Sequence, residues 1–192
     1  KAMVAMRHII DIHKVTAIKV AATSAMREAA NSGDIINRVM EASGIQIEVI
    51  TGDSEGKAIM QLPLEQIGLN PALHYLYIDV GGGSTELAFI GKGDLTANRS
   101  FNIGTLRLLN DQVSDADWKE IPDWIKAHKH HGFDLHAIGV GGNINHVMKH
   151  YGKAGKPYIS MAILKRVMMY IESLSMGERV RTLGLKPDRA DV

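Results

Sequence analysis

The stretch DVGGGSTE, residues 79–86, constrains the fold more than any other part of the sequence. It joins the apolar segment YLYI to the apolar segment LAFI, and each segment is typical of a buried β-strand. Only seven residues separate Gly83 from Gly91, where the next turn begins. That interval is too short for a crossover helix, which with its loops needs about ten residues or more. The stretch therefore predicts a strand, a tight turn and a second strand.

This geometry excludes two common glycine-rich phosphate sites. A dinucleotide fingerprint needs a helix directly after its glycines. A P-loop closes with Gly-Lys-Ser/Thr, whereas Gly83 is followed by Ser84 and Thr85. Two interpretations remain. Either the glycines only make a turn, or the N–H groups of Gly81, Gly82 and Gly83 and the two hydroxyls bind an anion.

Acidic side chains flank the turn. Asp79 ends the first predicted strand and Glu86 begins the second, so a hairpin would place them on opposite sides of the turn. An unpaired Asp is costly to bury, which favours a functional role for it at the sheet edge. Mg²⁺ is usually held by few carboxylates together with phosphate oxygens of the substrate. We therefore expect Asp79 and Glu86 to share a magnesium ion.

A second glycine cluster, GVGGN at 139–143, follows the predicted strand DLHAIGV. Apolar residues then recur at helical spacing, so a helix is expected directly after the glycines. The free N–H groups and the dipole at the start of a helix favour phosphate or the edge of a nucleotide. Gly139, Gly141, Gly142 and Asn143 are therefore candidate binding residues. A purely structural strand-to-helix turn is the alternative.

Composition narrows the class of protein. The 192 residues carry a net charge of only +1 with scattered basic residues, so no DNA partner is expected. The absence of cysteine excludes disulfides and thiolate metal sites, and it favours a cytoplasmic setting. No apolar run approaches the roughly 20 residues that a membrane-spanning helix needs, so no membrane partner is expected. Trp118 and Trp124 lie in a predicted amphipathic helix, where packing is the first interpretation and an interface the second. A homodimer is a candidate assembly.

Strands and helices alternate along the chain, and this order plus an antiparallel meander indicates a mixed α/β sheet. The predicted strands are 15–22, 45–50, 75–80, two further strands of the meander within 86–104 that turn at 91–93, and 134–140. The predicted helices are 2–13, an interrupted pattern from Ser24, a segment from about Asp53 to Pro63, 105–111, 115–129, 161–174 and 178–182. The best candidate for a domain boundary is GLNPALH at 68–74, where Gly, Asn and Pro fall together.

Four motifs occur in the order and approximate spacing of a known family. They are VAATSAMREAAN (20–31), IEVITGDSEGKAI (47–59), YIDVGGGSTELAFI (77–90) and AIGVGGN (137–143). The chain resembles the exopolyphosphatase / guanosine pentaphosphate phosphohydrolase family, within the superfamily of actin, sugar kinases and Hsp70-type ATPases. The resemblance implies two domains of ribonuclease-H-like fold around a cleft. Residues 1–72 would be the C-terminal part of the first domain, and 73–192 most of the second.

The resemblance also implies roles for single residues. Glu55 would act on the water that attacks the terminal phosphorus, although without the resemblance it is a first-turn acid favoured by the helix dipole. Arg27 would bind substrate phosphate, and its alternative is a solvated helix arginine paired with Glu28 or Asp34. The chain departs from the family at two places. Gly56-Lys57 stands where the family has Ala-Arg, and 141–143 reads Gly-Gly-Asn where it has Ser-Gly-Thr.

The implied reaction is hydrolysis of a terminal phosphoanhydride in inorganic polyphosphate or guanosine pentaphosphate, with Mg²⁺ as cofactor. A sugar or acetate kinase of the same superfamily and a non-catalytic sensor of polyphosphate or guanosine tetraphosphate are the alternatives. The family's first phosphate turn, Asp-x-Gly-Ser/Thr-Asn-Ser/Thr, does not occur in the 192 residues and is expected before Lys1. Residues 1–192 alone are therefore expected to be inactive or very weakly active.

Overall fold

Secondary structure is described by a computed structural model over residues 1–52, 54, 68–129, 132, 134–153 and 155–185. The chain divides into two compact units, Lys1–Leu62 and Pro63–Val192. The predicted α/β class is confirmed, since both units combine helices with strands, and the second unit holds the predicted mixed sheet. Their assignment as ribonuclease-H-like domains around a cleft stays a prediction.

The first unit pairs two short parallel strands and packs helices beside them. Its elements are α1 (Ala2–Ile12), β1 (Val20–Ala22), α2 (Ser24–Glu28), α3 (Ser32–Ser43) and β2 (Ile47–Val49). Helix α3 ends at Gly44, whose φ of +65° is the left-handed conformation that glycine adopts without steric cost. The helix connection between β1 and β2 suits their parallel pairing, because parallel strands need a crossover.

Both predicted strands of this unit are longer than the observed ones. Strand β1 covers only the last three residues of the predicted 15–22, and β2 covers three of the predicted 45–50. Within the described part of the chain the two strands pair with each other alone, from Val20 opposite Ile47 to Ala22 opposite Val49. Residues 15–19 have no strand partner and are exposed, so the prediction of a buried strand there was wrong.

The second unit holds a four-stranded mixed sheet and the remaining described helices. Its elements are β3 (His74–Val80), β4 (Thr85–Gly91), β5 (Asp94–Phe101), α4 (Thr105–Leu109), α5 (Asp115–His128), β6 (Leu135–Val140), α6 (Gly142–Tyr151), α7 (Met161–Ser173) and α8 (Met176–Leu183). The predicted meander and the predicted helices at 105–111, 115–129, 161–174 and 178–182 are confirmed, with ends shifted by a few residues.

The strand order is β5-β4-β3-β6, with β3 antiparallel to β4 and parallel to β6. Asp79 lies opposite Glu86 on β4 and beside Val140 on β6. The carboxyl ends of β3 and β6 therefore reach the same sheet edge. This register brings the two glycine clusters, far apart in sequence, to neighbouring positions.

The core of the second unit lies between one sheet face and α5. Trp124 stacks on Phe89 with ring centroids 5.4 Å apart and meets Phe101 edge-on at 5.9 Å. Leu76 and Leu87 complete this cluster. Trp124 is thus a packing residue, as predicted, whereas Trp118 is 48% exposed and does not pack in this core. No helix in the described ranges is long and apolar enough to cross a membrane.

Candidate phosphate-binding site

The predicted turn of DVGGGSTE is formed by residues 81–84, which we call the glycine loop. It connects β3 to β4, and the Gly81 N–H donates to the Ser84 carbonyl at 2.9 Å. The two hydroxyls predicted to face a ligand are engaged by the protein. Ser84 Oγ donates to Glu86 Oε1 at 2.6 Å, and Thr85 Oγ1 donates to the Ile103 carbonyl at 2.6 Å. Any anion at this loop therefore depends mainly on backbone N–H groups.

The carbonyls of the glycine loop are held by the segment that begins α4. The N–H of Thr105 donates to the Gly81 carbonyl at 3.0 Å, and the N–H of Leu106 donates to the Gly82 carbonyl at 2.8 Å. Arg107 Nε donates to the Gly83 carbonyl at 2.6 Å. The sequence predicted a helix here, but these residue types carry no phosphate-binding signal that would connect it with the site.

The two flanking carboxylates have different environments. Asp79 and Glu86 are directly opposite on neighbouring strands, so their side chains lie on the same sheet face. Glu86 is only 5% exposed, and its Oε1 accepts hydrogen bonds from Ser84 Oγ at 2.6 Å and Ser100 Oγ at 2.9 Å. Glu86 is therefore a buried, hydrogen-bonded carboxylate. Ser100 was not singled out by the sequence analysis.

A tyrosine lies beside this carboxylate pair. Tyr77 Oη donates to Asp79 Oδ2 over a long 3.4 Å contact. Burial, the charge of Asp79 and its hydrogen bond, and then the charge of Glu86 raise the pKa of the Tyr77 phenol well above its usual value. The phenol is therefore a proton donor toward Asp79 at neutral pH.

The second glycine cluster lies at the end of β6. Gly141 has a φ of +115°, and a Cβ there would lie 3.0 Å from the Val80 carbonyl oxygen, so the position suits glycine both in conformation and in space. Gly139 packs under α6, since a Cβ on it would lie 2.9 Å from Ile144 Cγ1. Helix α6 begins at Gly142, directly after the turn, as predicted.

The two glycine clusters line one pocket of about 470 Å³. Its lining residues are Asp79, Val80, Gly81, Gly82, Thr105, Leu106, Leu109, Gly141, Gly142 and Asn143. Six of the predicted site residues are therefore brought together. The other predicted residues of the second unit, Gly83, Ser84, Thr85, Glu86 and Gly139, do not line the pocket. Leu106 and Leu109 were missed, because apolar side chains in a short helix give no sequence signal of a site.

The family model that describes the Ppx/GppA phosphatase family matches residues 1–192. The chain belongs to the Ppx/GppA phosphatase family. The family resemblance seen in the sequence motifs is thereby confirmed.

Solved structures agree on the fold of this Ppx/GppA chain. An exopolyphosphatase from Cytophaga hutchinsonii is 22% identical with a TM-score of 0.73, over 99% of this chain and 68% of that one. The Aquifex aeolicus member of the Ppx/GppA family is 23% identical with a TM-score of 0.72, over 100% of this chain and 67% of that one. At such identities the similarity shows the fold. The Ppx/GppA chain spans about two thirds of both proteins.

Two predicted residues of the Ppx/GppA chain belong to its first unit. Arg27 Nη1 donates to the Ile50 carbonyl at 2.8 Å, which ties α2 to the residue after β2. This contact is structural, and the predicted phosphate contact of Arg27 stays a prediction. Glu55, its neighbours Gly56 and Lys57, and the helix predicted there lie outside the described residues.

Among the described residues, the pocket offers few side chains that could bind Mg²⁺. Within the described ranges, no three His, Asp or Glu side chains are grouped for a metal ion. Asp79 does offer a carboxylate to the pocket, and Mg²⁺ is commonly held by one or two carboxylates plus phosphate oxygens. Asp79 therefore fits a direct ligand. Glu86 fits a supporting role better, because it is only 5% exposed and does not line the pocket.

Proposed function

We propose that the full-length protein hydrolyses terminal phosphoanhydride bonds and releases orthophosphate from inorganic polyphosphate or guanosine pentaphosphate. The observation that carries this proposal is the pocket in which Asp79 lies between two glycine clusters. Backbone amides of both clusters and the start of α6 suit a phosphate chain. Membership of the Ppx/GppA phosphatase family supports the same class of reaction.

In the proposed reaction the glycine loop and α6 bind successive phosphates. Asp79 is the proposed ligand of Mg²⁺, and Glu86 is its supporting carboxylate. When bound, the ion would neutralise charge that develops on the phosphate oxygens. Arg27 is the proposed cation toward the terminal phosphate, because a guanidinium stays charged and donates in a forked geometry.

Glu55 is the proposed general base. It removes a proton from water as the water oxygen bonds to the terminal phosphorus. The bridging P–O bond breaks, and its electron pair leaves with the shortened phosphate chain. The backbone N–H groups of the glycine loop and the start of α6 hold the phosphate chain in position for this attack.

The experiment compares the wild-type full-length protein with Glu55→Gln. We expect wild type to release orthophosphate from polyphosphate or guanosine pentaphosphate in the presence of Mg²⁺. The Glu55→Gln variant should retain binding but lose about 10²-fold or more in kcat, the usual size of a general-base contribution. Glu41→Gln is a matched control, since Glu41 is exposed on α3. Equal release by wild type and Glu55→Gln would refute the assigned base.

Other outcomes identify the alternatives. Tight binding of polyphosphate by wild type without any release would indicate a sensor. Phosphate transfer from ATP to a sugar or acetate without orthophosphate release would indicate a kinase. Residues 1–192 alone, assayed beside the full-length protein, should show little or no turnover.

A further inference from the structure

We infer that Arg107 is a positioning residue for the phosphate-binding pocket. Its guanidinium fixes the Gly83 carbonyl. This holds the glycine loop, of which Gly81 and Gly82 line the pocket, in the conformation that presents its N–H groups to a phosphate oxygen. This inference rests on the proposed function, since it assigns the ligand of the glycine loop as a phosphate group. Arg107 itself is not among the residues that line the pocket.

The contact is short and its donor is charged. Arg107 Nε lies 2.6 Å from the Gly83 carbonyl oxygen, just below the usual range of about 2.7–3.2 Å for an N–H···O hydrogen bond. Hydrogen bonds with an ionised partner are roughly twice as strong as neutral ones. Thr105 and Leu106 hold the two preceding carbonyls through their N–H groups. Three consecutive carbonyls of the loop are thus directed toward the start of α4.

Because the peptide group is planar, fixing these carbonyls also fixes the direction of the N–H groups that follow them. All described peptide bonds are trans, and in a trans peptide the C=O and the following N–H point in opposite directions. The N–H groups of Gly82, Gly83 and Ser84 therefore point away from the atoms that hold the carbonyls. Across the described part of the chain these three N–H groups have no hydrogen-bond acceptor. They form a row of donors suited to the oxygens of a phosphate.

The three consecutive glycines explain why a side-chain donor is needed to fix the loop. Glycine has no Cβ and occupies many backbone conformations, so a run of three glycines does not by itself hold one orientation. The first two carbonyls are held by backbone N–H groups of α4. The third is held by Arg107 alone among the contacts of the described residues. Loss of this contact leaves the Gly83 carbonyl without a hydrogen bond among the described residues, so the orientation of the Gly83–Ser84 peptide is less well fixed.

The segment that carries Arg107 is itself firmly attached to the loop. Thr85 Oγ1 donates to the Ile103 carbonyl at 2.6 Å, and Gly104 packs directly on the backbone of Gly82. Ile103 is only 3% exposed. Helix α4, which carries Arg107, therefore begins directly after two buried and well-anchored residues, Ile103 and Gly104.

The test measures binding of inorganic tripolyphosphate to the full-length protein by calorimetry, with Arg107→Gln and Arg107→Lys. We expect Arg107→Gln to weaken binding about tenfold or more, the size of a lost charge-assisted hydrogen bond. Arg107→Lys should weaken it less, about two- to fivefold, because the ammonium still donates. Arg99→Gln is the matched control and should bind as wild type, since Arg99 pairs with Glu120 away from the pocket.

Measuring the affinity for tripolyphosphate at high salt distinguishes a positioning role of Arg107 from simple attraction between its charge and the phosphate. A positioning effect should persist at about 0.5 M KCl, where exposed charges are largely screened, whereas a loss due only to charge should vanish there. Kinetics should show a raised KM for polyphosphate with kcat within about threefold of wild type, because the amides bind ground and transition states alike. A merely structural role would instead lower the melting temperature and leave KM unchanged.

Wild-type affinity in both variants at high salt would overturn the inference. If Arg107→Gln does not fold, Arg107→Lys decides, and wild-type affinity in that variant at high salt would overturn it equally. If wild type neither binds tripolyphosphate nor releases orthophosphate, the proposed function fails first. If wild type does both and the variants match it, only the role of Arg107 fails.

Discussion

The strongest prediction concerns Gly104, the residue that packs on the glycine loop. A Cβ at Gly104 would lie 2.6 Å from the carbonyl carbons of both Gly82 and Gly83, and closer still to the Gly82 oxygen. All three atoms belong to the backbone, so no side chain can turn away. Ordinary van der Waals contact begins at 3.4 Å. Gly104→Ala must therefore separate the loop from α4 by about 1 Å.

The backbone conformation of Gly104 does not forbid alanine. Its φ of −151° is extended backbone, which any residue adopts. The cost of the substitution is therefore steric. Overpacking of this kind costs about 1–3 kcal/mol of unfolding free energy. A displacement of about 1 Å at a reacting centre lowers catalytic efficiency roughly 10²-fold.

The assay is orthophosphate release from polyphosphate by the full-length protein, with the melting temperature measured in parallel. We expect Gly104→Ala to lose about 10²-fold in kcat/KM while most of the protein stays folded at assay temperature. Gly177→Ala is the control, because a Cβ there meets only Arg181 side-chain atoms at 3.4 Å or more. A folded Gly104→Ala protein with wild-type kcat/KM would refute the reasoning that loop position controls activity.

Three further predictions test the carboxylate pair. Ser100→Ala should lower the unfolding free energy by about 1.5–3 kcal/mol in urea denaturation, because the Glu86 carboxylate loses a hydrogen bond; an unchanged midpoint would contradict this. The pKa of Tyr77 is raised in the folded state, so the unfolded chain loses its phenolic proton at lower pH than the folded chain does. The free energy of unfolding is therefore unaffected by the titration of this group below about pH 10 and falls as the pH rises above it. Relative to Tyr77→Phe, the unfolding free energy of wild type should therefore fall by at most about 1 kcal/mol between about pH 10 and pH 11. If the unfolding free energies of the two proteins change in parallel with pH, the raised pKa of Tyr77 is excluded. Asp79→Asn should raise the Mg²⁺ concentration for half-maximal phosphate release about tenfold or more. The control Asp94→Asn should leave it unchanged, since Asp94 is exposed at the start of β5. The same Mg²⁺ dependence in Asp79→Asn and wild type would show that Asp79 is not a ligand.

Local sequence patterns predicted the second unit well and the first unit less well. The meander at β3–β5 is specified by strongly apolar strands and by turns rich in glycine, which are short-range signals. The segment 15–22 carries the same apolar character, but among the described residues its strand partner is three residues long. Burial of a strand depends on what pairs with it, and a window of sequence does not contain the partner.

Within the site, the predicted residues differ in their burial and hydrogen bonding, which only the tertiary structure shows. Asp79 and Glu86 have similar positions in the sequence pattern, at the two ends of one turn. The fold leaves Asp79 in the pocket and buries Glu86 behind two hydroxyls, one of them from Ser100, fourteen residues away. Ser84 and Thr85 are hydrogen-bonded within the protein rather than left as donors for a ligand.

The sequence by itself determined the turn between two strands, the exclusion of a dinucleotide fingerprint and a P-loop, the mixed α/β class and the family. These depend on residue spacing and backbone preference, which are local. Only the tertiary structure decided that the end of β6 lies beside the end of β3, and that α4 holds the carbonyls of the glycine loop. Strand register and contacts such as Arg107 to Gly83 join residues far apart in the chain. They result from the packing of the whole unit, which no single stretch of sequence specifies.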